Sequence, residues 1–411
     1  MAKARQALAI EGGSPTIVRK PKPLVRWDGR EVRQLARMIR QPSLFYWKGP
    51  QTELLVERFR KHYPLKYVMP CSSGTASIHI AVAAAGIGPG DEVITSPITD
   101  MGTVIGVLYQ QGVPVFADLE PHRYTLDVKD VARRITRRTK AVIAVHLTGN
   151  PCALDGLKRL CRKHKLILIE DCAQAWGARY RGKPVGTLGD IGCWSLNDFK
   201  HIGCGDGGIV ATNDERFGPL LQKFGDKAYD RVGGGRGVDV LAPNYRISEP
   251  QSAVAAVQMT RLDGIVARRE ALGRRLTRRL TGIAGVQPHE VDRRDRCSYW
   301  FYMFRIDPAA FTCDRNAFAG ALAAEGVRCG AGYVADTMYQ KPAFANANFF
   351  AGRWPVKELG LTKMDYRKTK CPVAEAIIPT AITVTLTQNL DERYVRGVAA
   401  AVAKVARRYR R

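Results

Sequence analysis

The stretch IEDCAQAWGARYRGKPVGTLGDIGCWSLNDFKHIGCGDGG, residues 169–208, decides the fold. It begins within the apolar run 166–169, which is followed by the acidic pair Glu170 and Asp171. A carboxylate at the C-terminal end of a buried strand commonly directs charge at a ligand in an α/β sheet. The stretch closes with Lys200 and the glycine-rich run 203–208. This order predicts a ligand site at the end of a buried strand.

Asp171 and Lys200 together suit one cofactor, pyridoxal 5′-phosphate (PLP). A lysine becomes a nucleophilic amine in a desolvated, crowded setting. PLP chemistry requires such a lysine to form the Schiff base and a carboxylate to keep the pyridinium nitrogen protonated. We therefore predict Lys200 and Asp171 as catalytic residues. The alternative is that Lys200 is one more surface lysine of a basic protein.

A second feature predicts a phosphate site. The short strand ending at Pro70 is followed by Cys71-Ser72-Ser73-Gly74-Thr75, which opens an alanine-rich helix over 76–85. Free backbone N–H groups and the helix dipole favour an anion at such a helix start. A capping motif with a tight turn would have the same composition. With a PLP lysine downstream, we interpret Ser73, Gly74 and Thr75 as phosphate ligands.

These motifs resemble a known family. Asp171-Cys172-Ala173-Gln174, Ser195, Lys200 and the run 205–208 are similar to the signature of the DegT/DnrJ/EryC1/StrS family. The resemblance extends over almost the whole chain. It implies a fold-type I, PLP-dependent aminotransferase that moves an amino group from glutamate or glutamine to a nucleotide-linked keto-sugar or to a keto-cyclitol. The pathway implied is the biosynthesis of amino sugars, secondary metabolites or cell-surface glycans.

The resemblance also assigns roles to individual residues. Gly74 and Thr75 correspond to the family pair that binds the cofactor phosphate, and Ser195 to a serine on the same phosphate. Gln174 corresponds to the position beside the cofactor's 3-hydroxyl, where an amide can donate a hydrogen bond without adding charge. Asn244, in an Asn-Tyr-Arg motif, corresponds to a residue that reaches the phosphate of the other subunit. The resemblance therefore implies a homodimer with shared active sites.

Two positions bear on the reaction. Many relatives carry an aromatic residue that stacks on the cofactor where this chain has Asp100, which cannot stack; Met101 is the neighbouring apolar candidate. Related sugar 3-dehydratases carry histidine in place of the lysine. Here His201 is adjacent, but Lys200 aligns with the catalytic position. Transamination is thus preferred, with a dehydrating or aminodehydroxylating PLP enzyme as the alternative.

The element pattern predicts an α/β fold. Near-continuous apolar strands alternate with helices from about residue 68 to 212, which favours a mainly parallel sheet covered by helices. After about residue 283 the pattern changes to an α+β one. We predict an N-terminal arm (1–30), a large PLP-binding domain (31–265) and a smaller C-terminal domain (266–411). One long helix is expected over about 249–281, and a strand over 297–306.

The bulk composition predicts a cytoplasmic protein. The chain has 411 residues and 45% hydrophobic content, enough for two domains. No apolar run reaches membrane-spanning length, and no signal-peptide core follows the N-terminus. The ten cysteines are scattered without a CxxC pair, which favours reduced, buried thiols over disulfides or a metal site.

The net charge of +26 is unusually high. It raises the alternative of a non-catalytic, DNA-binding regulator of the same fold. The basic residues are, however, distributed as arginine pairs along predicted helices, and no DNA-reading motif is evident. We favour an arginine-rich solvated surface, which could also steer an anionic substrate to the site.

Overall fold

The computed structural model describes residues 7–235 and 238–411. The first six residues of the predicted N-terminal arm lie outside these ranges. The strands are β1 (Tyr67–Cys71), β2 (Glu92–Thr95), β3 (Val113–Phe116), β4 (Thr139–Val145), β5 (Ile167–Asp171), β6 (Arg179–Tyr180), β7 (Lys183–Pro184), β8 (Ile191–Ser195), β9 (Gly208–Thr212), β10 (Val286–Gln287), β11 (Tyr302–Ile306), β12 (Cys329–Gly330) and β13 (Ala381–Val384).

The helices surround these strands. They are α1 (Gly29–Met38), α2 (Pro50–His62), α3 (Gly74–Ala84), α4 (Gly102–Tyr109), α5 (Val128–Arg134), α6 (Leu154–His164), α7 (Gly218–Gly225), α8 (Glu249–Met259), α9 (Leu262–Leu280), α10 (Arg315–Ala324), α11 (Pro342–Ala345), α12 (Pro355–Glu358), α13 (Pro372–Ile377) and α14 (Glu392–Tyr409).

A seven-stranded sheet forms the centre, in the order β1-β9-β8-β5-β4-β2-β3. Strands β3, β2, β4, β5 and β8 are parallel, whereas β9 runs antiparallel to both β8 and β1. The prediction of a mainly parallel sheet is confirmed. Because parallel strands end at the same edge, residues that follow β4, β5 and β8 meet there, and this edge is where α/β sheets bind ligands.

A second, antiparallel sheet has the order β10-β11-β13-β12 and packs with α9, α10 and α14 around its own hydrophobic core. The first core includes apolar side chains from the segment 338–381 as well as those of the large sheet. The predicted C-terminal region therefore contributes to both cores. The boundary at residue 265 stays a prediction.

Two expected elements differ from the structure. The long helix over 249–281 is two helices, because α8 ends at Met259 and α9 begins at Leu262. The strand expected from Cys297 begins only at Tyr302, since Tyr299 has a left-handed backbone with φ of 47°. Residues 298–300 instead bond to the loop after β4.

Two properties bear on location. All ten cysteines are free, and most are buried. In the described ranges, no helix is both long and apolar enough to cross a bilayer.

Candidate active site

A pocket of about 320 Å³ opens at the C-terminal edge of the central sheet. Seven of the eight residues predicted for the site line it together: Ser73, Gly74, Thr75, Asp171, Gln174, Ser195 and Lys200. Asn244, the eighth, is exposed and pairs with Asp226 in an isolated β-bridge away from this pocket. Its predicted contact with a partner subunit remains a prediction.

Lys200 lies in the loop between β8 and β9, with its side chain in the pocket. Burial lowers the pKa of its amine, and the charges of Asp171 and Asp100 only partly oppose this shift. A lowered pKa increases the fraction of free amine at neutral pH. The interpretation of Lys200 as an ordinary surface lysine is therefore wrong.

His201 belongs to the opposite side of this loop. It is fully buried, its Nε2 lies 2.9 Å from the Ser298 carbonyl oxygen, and it lines a separate cavity behind the loop. Burial lowers the pKa of this imidazole well below its usual value, with the charge of Arg269 adding to the effect. His201 is thus a neutral packing residue, and Lys200 is the member of the pair that faces the pocket.

Asp171 ends β5 at the pocket floor and is 5% exposed. Its carboxylate accepts hydrogen bonds from the Thr103 hydroxyl (2.8 Å) and the Ala173 backbone N–H (3.0 Å). Burial raises the pKa of Asp171 although these two donors oppose it. A cationic group placed beside this carboxylate would compensate the cost of its burial.

Glu170, the preceding residue, points to the other face of the sheet and is fully buried. Its carboxylate is 3.0 Å from Nε2 of His146 and accepts backbone N–H bonds from Gly186 (2.7 Å) and Leu188 (2.8 Å). The other nitrogen of His146 accepts from the Cys152 N–H at 3.0 Å. Both ring nitrogens of His146 therefore have partners within the protein, which makes it a structural residue.

His146, Glu170 and Cys172 approach within the spacing of metal ligands. Both ring nitrogens of His146 and both oxygens of Glu170 are, however, engaged by protein hydrogen bonds. We therefore interpret this group as a structural hydrogen-bond network.

The phosphate end of the pocket is built closely around glycine. Ser73 caps α3 by accepting from the Ala76 N–H at 3.0 Å. A Cβ on Gly74 would lie 2.6 Å from the Cβ of Ser195, and one on Gly208 would lie 2.2 Å from the Ser73 carbonyl oxygen. The N-terminus of α3 and the Ser195 hydroxyl therefore meet in a cradle that fits a phosphate.

Gln174 is held at both ends. Its Oε1 accepts from the Thr148 N–H at 2.8 Å, and its Nε2 donates to the Tyr333 hydroxyl at 3.0 Å. Asp100 lines the pocket, where its carboxylate accepts from the Gly102 N–H at 2.8 Å, whereas Met101 packs against the core. The aromatic residues that line the pocket are instead Phe199, Trp300 and Tyr333.

Sequence reasoning missed Thr103, Trp300 and Tyr333. Thr103 had a recognisable signal, a hydroxyl near a predicted helix start at the same sheet edge. Trp300 falls in a segment that was expected to be a strand. Tyr333 lies in a region without clear periodicity, so that only the folded chain shows its bond to Gln174.

A desolvated lysine, a buried carboxylate and a phosphate cradle at a helix N-terminus line one pocket at the edge of this sheet. This combination defines a PLP-dependent enzyme of the fold-type I class, and its residues fit that cofactor. The chain belongs to the DegT/DnrJ/EryC1/StrS aminotransferase family, whose model matches residues 28–403. The predictions of family, fold class, cofactor and aminotransferase activity are confirmed.

Named relatives agree with this assignment. A Micromonospora echinospora protein provisionally named L-glutamine:3-amino-2,3-dideoxy-scyllo-inosose aminotransferase is 34% identical over 90% of both chains. The GDP-perosamine synthase of Caulobacter vibrioides is 35% identical over 60% of this chain and 67% of its own. The crystal structure of S. venezuelae DesV with a ketimine intermediate has a TM-score of 0.80 at 26% identity, covering 92% of this chain and 94% of that one.

Proposed function

We propose that this aminotransferase moves an amino group from L-glutamate or L-glutamine to a keto-sugar or keto-cyclitol. The observation that carries the proposal is the placement of the Lys200 amine and the Asp171 carboxylate in one pocket. The substrate class is supported by the names of the relatives, one an L-glutamine:keto-cyclitol aminotransferase and the other a GDP-perosamine synthase.

The residues predicted for the site and found in the pocket each have a part in this chemistry. When bound, PLP supplies the electron sink that stabilises negative charge at the donor carbon. Lys200, with its pKa lowered by burial, would take and return the proton at that carbon. Asp171 would hold the proton on the ring nitrogen, and Gln174 would donate a hydrogen bond from Nε2. The start of α3 and Ser195 would hold the phosphate.

The net positive charge of the protein suits an anionic amino-group acceptor. A positively charged molecule attracts anionic substrates over long distances, so a nucleotide-linked sugar would be steered to the site. We propose a cytoplasmic homodimer in which Asn244 reaches the cofactor phosphate of the other subunit. The exposure of Asn244 in the single chain leaves it available for such a contact.

The first test is the visible spectrum of the purified protein with PLP, before and after L-glutamate and then L-glutamine. We expect a cofactor band that bleaches with one donor and returns when a keto-cyclitol or keto-sugar acceptor is added. Lys200→Ala should abolish turnover while leaving the fold intact, because only the attacking amine is lost. The matched control is Lys163→Ala, which replaces an exposed lysine in the last turn of α6. Unchanged turnover in Lys200→Ala would contradict the mechanism.

Other outcomes favour the alternatives. A band that ignores both amino acids would point to another donor or to dehydration. Absence of any band, together with steeply salt-dependent retention on duplex DNA, would favour the regulator.

A further inference from the structure

Trp300 places an aromatic ring against the catalytic amine. The Nζ atom of Lys200 lies 4.0 Å from the centroid of the Trp300 ring. The face of an indole carries negative quadrupolar potential, so an ammonium above it is attracted electrostatically. Asp100 lines the same pocket but offers no aromatic face, so Trp300 supplies an aromatic surface from another part of the chain.

Trp300 is held in place by its backbone and by its indole nitrogen. The backbone N–H of Trp300 donates to the Thr148 carbonyl at 2.8 Å, and the indole Nε1–H donates to the Phe199 carbonyl at 2.8 Å. The second bond ties the ring to the residue that precedes Lys200. The indole is therefore tied directly to the loop that carries the amine.

A buried arginine supports this arrangement from behind. Arg269 on α9 is 1% exposed and forms no ion pair with any residue in the described part of the chain. Its guanidinium donates to the Trp300 carbonyl (3.1 Å), to the Tyr299 carbonyl (3.4 Å) and to Oε1 of Gln388 (3.1 Å). Burying a charge without a carboxylate is costly, and these carbonyls provide its compensation. Much of the hydrogen bonding of Arg269 thus serves the backbone around Trp300.

The environment of Lys200 contains opposing influences. Burial disfavours the ammonium form, and the carboxylates of Asp171 on β5 and Asp100 before α4 favour it. Asp206 and Tyr333 also line the pocket, while Arg26 and His201 lie behind the loop. The Trp300 ring adds a further attraction that depends on π electrons and not on net charge.

We propose that Trp300 is a positioning residue for Lys200, holding the amine over its ring and favouring the ammonium form whenever that amine is not bonded to the cofactor. The proposal rests on the proposed function, in which Lys200 carries the proton. In that reaction the amine must receive a proton and return it from one defined place. A ring that holds the protonated lysine would keep it near the reacting carbon between these two steps.

The test replaces tryptophan by 5-fluoro-, 5,6-difluoro- and 5,6,7-trifluorotryptophan during expression. Fluorine weakens the π face but keeps the ring in place, so the burial of Lys200 stays nearly constant. The rate at which sulfo-NHS-acetate modifies Lys200 is followed against pH by peptide mass spectrometry. It is measured in the full chain without cofactor and in the chain loaded with pyridoxamine 5′-phosphate, which leaves the Lys200 amine free. The midpoint should fall stepwise, by about half to one pH unit in all.

The control is Trp300→Phe in the same fluorinated backgrounds, which retains the other five tryptophans but no fluorine at residue 300. There the midpoint should not move with fluorination. A constant midpoint in the fluorinated wild type, or an equal shift in both proteins, would overturn the proposal. The cofactor-free titration involves neither donor nor acceptor. A shift there without transamination would contradict the proposed function while still supporting the interaction between the Trp300 ring and the Lys200 ammonium.

Discussion

Glu170 and Asp171 are adjacent carboxylates at the end of β5, yet their pKa values are shifted in opposite directions. Burial by itself raises the pKa of both. At Glu170 burial is outweighed by the hydrogen bond to His146, by the charge of His146 and by the backbone donors. The pKa of Glu170 therefore falls below its usual value. At Asp171 burial prevails over the Ala173 and Thr103 bonds, and the pKa rises.

The difference identifies which carboxylate is available to a ligand. Glu170 is saturated within the protein, so its charge is fully used in holding β5 to the loop after β7. Asp171 keeps a charge at the pocket that its two hydrogen bonds compensate only in part. Active sites are where such unfavourable electrostatics are retained, because substrate or cofactor supplies the missing partner. The comparison predicts that a substitution of Asp171 lowers activity, whereas a substitution of Glu170 lowers the stability of the fold.

Of the effects that this comparison predicts, the largest is on turnover in Asp171→Asn. An amide cannot hold a proton on the ring nitrogen by charge, so the electron sink weakens. We expect transamination to fall on the order of 10³-fold or more. The measurement is the rate of the donor half-reaction, followed by stopped-flow absorbance of the bound cofactor.

The same substitution, Asp171→Asn, should increase the stability of the fold although it lowers turnover. Asp171 has a raised pKa in the folded protein, so its ionisation costs stability as pH rises through its unfolded pKa towards the folded one. Without cofactor at neutral pH, Asp171→Asn should therefore be more stable than the wild type, on the order of 1 kcal/mol in urea. A less stable cofactor-free variant would contradict the idea that the Asp171 charge is compensated only in part.

The next effect is on stability in Glu170→Gln. The amide NH₂ would face N–H donors from His146 or the loop, leaving buried donors unpaired. We expect a loss of about 3 kcal/mol in the free energy of unfolding at neutral pH. Because the folded pKa of Glu170 is depressed, the difference from the wild type is present above its unfolded pKa and shrinks as pH falls through the folded one. Urea unfolding at several pH values measures it, with Asp171→Asn as the matched control.

The pairing of Asp171 with Lys200 could be predicted because both lie in one continuous stretch with a strong local pattern. The strand run, the acidic pair and the glycines each restrict the backbone, and the order of apolar segments specifies the parallel sheet. The phosphate cradle could be predicted for the same reason, because Ser73 and Gly74 open a helix directly after a strand.

The distinction between Glu170 and Asp171 could be predicted only in part. Strand alternation places them on opposite faces, but their charges are compensated by residues distant in sequence. His146 reaches Glu170 from β4, and Thr103 reaches Asp171 from α4. Trp300 and Tyr333 join the pocket through tertiary packing that no local period encodes. Such contacts depend on how separate segments meet, which the pattern of one segment does not specify.

The smallest expected effect comes from Thr103→Val, which changes the compensation of Asp171 without removing its charge. The hydroxyl donates to Asp171 over 2.8 Å, and this bond favours the ionised carboxylate. Valine keeps the shape but not the donor, so the pKa of Asp171 should rise further. The loss of one hydrogen bond to a charged group corresponds to about a tenfold decrease in kcat/KM. The acidic limb of the pH profile should move to higher pH, because Asp171 then needs a higher pH to ionise.

Thr99→Val is a suitable control, since that hydroxyl lies 2.7 Å from Thr103 without contacting Asp171. An equal shift in both variants would mean that the hydroxyl pair acts through packing, and the two carboxylates would then differ by burial alone.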